Sequence, residues 1–197
     1  MKNKIQKLKK YITEISKNES FLHHDWFVQY HLEIVEKISL ELCEIYKDAN
    51  KDIVLTLLWI HDYGKILNMD KEHELNHESK KLLIDLGFPK SFTDKIFKYL
   101  EIFENKMIIN LTKTPIEVQI VSSADGASHM IGPFFPIYWK EHSTKSITEL
   151  MEQNRIKLIK DWERKIVLPE VKKAFKQRHK LLLEEHVGNF PENYITH

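Results

Sequence analysis

The stretch IVLTLLWIHDYGK, residues 53–65, decides how this chain is read. Up to Ile60 it is apolar on nearly all sides, with only Thr56 interrupting. A helix without a polar face belongs in the centre of a bundle, where other helices cover it. Asn50 or Asp52 can cap its start and Gly64 is placed to end it. A His-Asp pair, His61-Asp62, then falls at the end of a buried helix, where neither side chain is cheap to bury without a partner.

The sequence on either side is also helical in period. Ile5, Leu8, Ile12 and Ile15 give a first amphipathic helix with lysines on its wet face. From about Trp26 to Tyr46, Leu32, Val35, Ile38, Leu42 and Ile45 recur at the spacing of one buried face. A fourth helix is expected from about His73 to Leu86, stopped by Gly87, and a fifth after Pro89-Lys90 with Ser91 as cap. Thr114-Pro115-Ile116-Glu117 reads as a helix start, with a capping threonine and an acid that reaches back. The segment GPFFPIYW, residues 132–139, with two prolines and four aromatics, is expected as a loop packed on something. Two further helices follow, about Ser146 to Lys165 and Leu168 to His186, divided by Pro169. The expected fold is all-α, a single helical bundle over residues 1–197 without an internal repeat or linker.

Composition agrees with that economy. Five Gly and six Pro in 197 residues argue against a loop-rich or all-β chain. The net charge of +1 gives no electrostatic reason to expect nucleic acid or a membrane as partner. Cys43 is the only cysteine, so no internal disulfide can form and a reducing compartment is expected. The lysines of the first helix are followed by no apolar stretch, so a signal peptide is not expected, and no apolar run is long enough for a membrane span. The expectation is a cytoplasmic protein.

A cation would resolve the burial of His61 and Asp62. A neutral imidazole nitrogen and an anionic oxygen can share one ion, but two ligands make a weak site and other helices must supply more. His31 lies one turn before Val35 and so faces inward; the bland alternative is a hydrogen-bonded core or surface histidine. Asp125 follows an apolar run and is surrounded by small Ser122, Ser123, Ala124 and Gly126; the bland alternative is an aspartate that ends a helix. Lys65 follows a glycine turn, and its ammonium can hang over such a pocket and meet a phosphate.

The order His31, His61-Asp62, Asp125, with HDYGK as its most specific piece, resembles the HD-domain superfamily of metal-dependent phosphohydrolases. The resemblance covers about residues 21–130, leaving the helices of about 143–186 as an addition packed on that core. It implies that His31, His61, Asp62 and Asp125 are metal ligands and that Lys65 belongs to the active site. A second dipeptide, His24-Asp25, lacks an apolar helix before it and is placed at the entrance to the helix carrying His31.

Some members of that superfamily hold two metals, using further histidines between the HD pair and the last aspartate. Here His77, beside Glu78, is available, His73 is expected to be exposed, and the next helix offers no histidine. One divalent ion is therefore expected, of Mn, Co, Mg, Zn or Fe, and with it hydrolysis rather than di-iron oxidation. Asp62 and Lys65 are the expected catalytic residues. Lys65, His77, Glu78, Trp26 and Phe134 are expected to contact substrate, with Phe135, Tyr138 and Trp139 crowding the same segment as Phe134. His129 and His142 are given no role beyond polar lining. The expected partner is a small phosphorylated metabolite, favouring a nucleotide, and a homodimer is an allowed assembly. The alternatives are a nucleotide or metal sensor on the same fold and, more distantly, a helical interaction module.

Overall fold

A computed structural model describes residues 1–68 and 77–185 in full and the backbone of 72–76. Among the described residues there is no strand. The helices are α1 (Lys2–Ile15), α2 (Glu33–Ile45), α3 (Lys51–Ile60), α4 (Tyr63–Ile66), α5 (Glu72–Asp85), α6 (Lys90–Glu104), α7 (Ile116–Ser128), α8 (Phe134–Glu141), α9 (Ile147–Lys160) and α10 (Pro169–Glu185). Two π-helical turns adjoin them: Val28–Leu32 leads into α2, and Asp161–Lys165 continues α9.

Two helices form the centre. In α3 every residue from Ile53 to Ile60 is buried except half-buried Leu55. In α7 every residue from Glu117 to Ser128 is buried except Gln119. The two pack on each other; α1, α2 and α6 cover α3, and α2, α6 and α10 cover α7. Small residues at Ser122, Ser123, Ala124, Gly126 and Ala127 let neighbours come close to α7. At Gly126 a Cβ would stand 2.9 Å from Ile166 Cγ1 and 3.0 Å from Lys165 Cβ, so the second π turn lies directly on this helix.

The expected caps hold in part. Asn50 accepts from the backbone N–H of Asp52 and of Ile53, starting α3. Gly87, at φ +81°, ends α5 with bonds from Gly87 N to Ile84 O and from Phe88 N to Leu83 O. Gly64, however, does not end α3: that helix stops at Ile60, and Gly64 lies within α4. Ser91 does not cap α6, which starts at Lys90 behind Pro89 without a side-chain cap. Thr114 does not cap α7; its hydroxyl donates to Leu111 O, and Pro115 takes the cap position. Glu117 is then free to accept from Asn50 N at 3.1 Å, joining the starts of α3 and α7 instead of reaching back.

Ile45, expected on the buried face of α2, is exposed at the end of that helix. The segment 132–139, expected as a loop, is largely helical, as α8. Its prolines do not oppose this, because Pro133 precedes the helix and Pro136 falls in the first turn, where backbone N–H groups have no helical acceptor. His73 and His186 lie outside the residues whose side chains are described. No described helix is long and apolar enough to cross a membrane.

Candidate metal centre

His61 and Asp62 sit where the chain bends from α3 into α4. His61 caps the C-terminus of α3, and Asp62 takes φ −109° and ψ 13° before α4 begins, which keeps both side chains inside. His61 Nδ1 donates to Leu58 O at 2.6 Å, which leaves Nε2 as the acceptor. That Nε2 is buried and has no hydrogen-bond partner among the described residues. Burial holds the His61 imidazole below its ordinary pKa, so the neutral ring keeps its lone pair at neutral pH.

His31 comes from the first π turn, and its orientation follows from a short relay. Ser128 Oγ donates to Asp125 O at 2.7 Å, so His31 Nδ1, 3.0 Å from the same Oγ, must be the donor. His31 Nε2 consequently faces the cluster. His129, at the C-terminus of α7, repeats the pattern: Nδ1 donates to Asp161 Oδ2 at 2.8 Å and Nε2 points inward. Three histidines thus turn Nε2 towards one place, each fixed by a bond at the other nitrogen.

The two aspartates divide their oxygens between opposite partners. Asp62 Oδ1 takes Lys65 Nζ at 2.6 Å, while Oδ2 lies 3.5 Å from His31 Nε2 and 3.4 Å from His61 Nε2. Asp125 Oδ2 takes Lys165 at 3.0 Å and Lys106 at 3.7 Å. Its Oδ1 lies 3.7, 4.0 and 3.6 Å from Nε2 of His31, His61 and His129. The inner oxygens and the imidazole nitrogens are all natural acceptors. Metal–ligand bonds of about 2.0–2.2 Å place neighbouring ligand atoms roughly 3–3.5 Å apart, so the cluster is only slightly wider than a shared ion requires. His31, His61 and Asp62 form one group able to hold an ion, and His31, Asp125 and His129 another.

Lysines surround these carboxylates. Burial alone would raise the Asp62 carboxyl, but His61, Lys65 and His31 outweigh it and hold the group well below the usual range. Asp125 is likewise depressed against the effect of burial, by Lys165, Lys106 and the histidines. Lys106 is pushed down to about 8, chiefly by burial, with Asp125 opposing and Lys165 assisting. Asp161 accepts from Lys157 and Lys165 at 3.1 Å each as well as from His129.

A cavity of about 300 Å³ opens onto the cluster. His31, Asp62 and His129 reach it, with Lys65, Lys157 and Lys165, and Trp26, Phe134 and Tyr138 supply an aromatic wall. Trp26 Nε1 is tied to Glu141 Oε1 and His23 Nδ1 to Glu141 Oε2, which fixes that wall to α8.

The structure therefore brings His31, His61, Asp62 and Asp125 together, with Lys65, Trp26 and Phe134 at the adjoining cavity. It places His77 and Glu78 elsewhere: His77 is exposed, stands 3.6 Å from Glu78, and neither lines this cavity. Asp25 is exposed and paired with His24, whose Nδ1 donates to Phe21 O. His142 lines the cavity and stacks on Tyr138 at 4.0 Å. His129, expected to be mere lining, is one of the three convergent histidines. Asp161, Lys157, Lys165 and Lys106 were not singled out in the sequence. The only trace of the first three is spacing: Lys157, Asp161 and Lys165 share one face at four-residue intervals, opposite Asp125 and His129 at the same interval.

Fold and site define an all-helical protein whose core holds a histidine–aspartate cluster suited in geometry to a divalent cation. No family model matches the chain, and no solved structure matches it. The chain is similar to 4-hydroxy-3-methylbut-2-en-1-yl diphosphate synthase (flavodoxin) of Chlamydia caviae, at 28% identity over 178 residues, covering 75% of this chain. It spans only 28% of that enzyme's length.

Proposed function

We propose that this chain is a metal-dependent phosphohydrolase of the HD-domain type, acting on a small phosphorylated metabolite, with a nucleotide as the favoured class. The observation that carries the reading is the division of the aspartate oxygens around a buried His61 Nε2 that has no hydrogen-bond partner among the described residues. Lysines occupy the outer oxygens, and among the described residues the inner oxygens face the acceptor nitrogens of histidines, an arrangement that costs free energy until a cation joins them. His31, His61, Asp62 and Asp125 would hold the ion. Their nitrogen and oxygen donors suit Mn, Co, Mg, Zn or Fe. When bound, such an ion supplies Lewis acidity towards a phosphoryl oxygen and a water.

The chain's own groups supply the rest. Lys65, two-thirds exposed at the cavity mouth, can swing from Asp62 to a phosphate oxygen. Lys157 and Lys165 line the same cavity and present further positive charge. Asp62, anionic at neutral pH, can orient a water for attack. Trp26, Phe134 and Tyr138 can stack against a flat group attached to the phosphate. The relative is named for a diphosphate ester, a ligand that a lysine-lined cavity also fits, but the likeness covers too little of that enzyme to carry its activity here.

Metal analysis of the purified protein, followed by a phosphatase and phosphodiesterase panel, tests the reading. Metal-dependent phosphate release that disappears in Asp62→Ala is the expected result. Stabilisation by nucleotides without turnover would indicate the sensor instead. Activity retained in Asp62→Ala would remove the assignment.

A further inference from the structure

We propose that His129, oriented by Asp161, is a ligand of the same ion, so that among the described residues the centre draws on five side chains rather than four. The proposal rests on the reading of the cluster as a metal site and extends it to the C-terminal helices.

Three observations carry it. First, His129 Nε2 is the imidazole nitrogen nearest the inner oxygen of Asp125: 3.6 Å, against 3.7 Å for His31 and 4.0 Å for His61. It addresses the oxygen that Lys165 and Lys106 leave alone, and with His31 and Asp125 it forms a group able to hold an ion. Second, the His129 ring lies parallel to that of His31, at 5.2 Å and 3°, so both histidines, each bonded through Nδ1, turn Nε2 to the same side. Third, the Nδ1 partner is the Asp161 carboxylate, itself almost fully buried. A carboxylate behind a histidine is the usual support of a metal-bound imidazole, fixing tautomer and ring angle and raising basicity.

The support is built in, not incidental. Asp125 and His129 stand one turn apart on α7, and Asp161 and Lys165 one turn apart on the π turn facing it. The four close a ring: Asp125 to Lys165 at 3.0 Å, Lys165 to Asp161 at 3.1 Å, Asp161 to His129 at 2.8 Å, His129 to Asp125 at 3.6 Å. Gly126, between Asp125 and His129, is what allows the turn to come this close. A buried pair of merely structural use would need the Nδ1–carboxylate bond alone. It would not need Nε2 to meet the free oxygen of a second aspartate.

The test is a Co²⁺ titration of the metal-stripped full chain, read by calorimetry and by the visible absorption of the bound ion. Wild type, His61→Ala, His129→Ala, His129→Gln and Asp161→Asn are compared, with melting of each metal-free protein as the check on folding. His129→Ala is expected to weaken Co²⁺ binding by roughly 10- to 100-fold and to change the absorption bands. Asp161→Asn, which keeps the ligand but loses its support, is expected to weaken binding in the same range and to shift the bands. Wild-type affinity and bands in His129→Ala, or in His129→Gln if the alanine variant does not fold, overturn the proposal. If neither folds, Asp161→Asn decides, and unshifted bands there overturn it. Failure of the wild type to take up Co²⁺, or unchanged binding in His61→Ala, would instead overturn the metal-site reading itself.

Discussion

Replacing Gly126 by alanine sets two effects of opposite sign against each other. Alanine in the middle of a helix is favoured over glycine by about 1 kcal/mol. The new methyl, however, would stand 2.9 Å from Ile166 Cγ1, 3.0 Å from Lys165 Cβ and 3.4 Å from Asp161 O. Carbon atoms pack best at about 3.5–4.0 Å, so the π turn must retreat by something over half an ångström. Neither close neighbour yields cheaply, since Ile166 is fully buried and a Cβ moves only with its backbone. Overpacking of this kind costs about 1–3 kcal/mol and so outweighs the helix term. The variant is expected to be less stable by about 1 kcal/mol, a fall of roughly 2–4 °C in Tm for a chain of this size. The retreating turn carries Asp161 and Lys165, so the ring through His129 and Asp125 opens and Mn²⁺ affinity should fall by roughly 10-fold or more. Thermal melts and calorimetric titration read the two effects separately. An alanine variant that melts higher than wild type and binds Mn²⁺ unchanged would refute the claim that this contact sets the centre.

Acidification should destabilise the metal-free protein. Burial lowers His61, and lowers His129 to about 3, so the unfolded chain takes up their protons first. Their contribution is complete above pH about 6.5 and is lost as pH falls from there towards 3. Asp62, Asp125 and Asp161, also depressed, extend the loss below pH about 4. The His129 shift alone is worth on the order of 5 kcal/mol once fully lost, and urea melts giving equal stability at pH 4.5 and pH 7 would contradict it. Lys65→Ala should lower kcat/KM by roughly 100-fold or more through loss of charge at the phosphate, with Tm little changed because the side chain is largely exposed. Leu57→Ala, at the fully buried middle of α3, should cost about 2–5 kcal/mol in denaturant melts while the folded fraction still binds metal.

The helical class was legible because α3 and α7 announce themselves by apolar character alone, and Asn50 and Gly87 act locally. His31, His61, Asp62 and Asp125 could be named because each is a polar residue set in an apolar helix, an oddity visible without coordinates. The Nδ1 partners of His61 and His31 were not visible, since Leu58 O and Ser128 Oγ depend on ring orientation. Asp161 and Lys165 escaped notice for a different reason. They lie in DWERK, among charges that read as a solvated helix end, and only the close approach at Gly126 turns that face inward. The π turns leave no periodic signature either, yet Val28–Leu32 carries His31, and Asp161–Lys165 carries both ends of the ring. Such turns are frequent where a side chain must be re-aimed at a functional site. The two prolines of 132–139 suggest a loop by their number, but Pro133 and Pro136 fall at the start of α8, where a helix tolerates them.

Among the described residues, four ammonium groups, Lys65, Lys106, Lys157 and Lys165, meet three carboxylates, Asp62, Asp125 and Asp161, an excess of one positive charge. A centre meant for a cation alone gains nothing from that surplus, because every lysine repels the ion. Lys106 is pushed down to about 8 chiefly by burial, and the neighbouring Lys165 adds to that effect while Asp125 opposes it. The excess makes sense if an anion completes the site, since a phosphate dianion offsets both the lysines and a divalent cation. Each ligand then makes the other easier to bind, and by linkage the effect is equal in both directions. Inorganic phosphate should therefore tighten Mn²⁺ binding by roughly 5- to 150-fold, and Mn²⁺ should tighten phosphate by the same factor. Lys165→Met should reduce that coupling more than Lys65→Ala, because Lys165 is the less exposed of the two and cannot be replaced by water. Calorimetric titrations of each ligand, with and without the other, measure the factor directly. Mn²⁺ affinity that phosphate leaves unchanged or weakens would show that the lysines serve only the carboxylates, and phosphate would lose its claim as the group this site is built to hold.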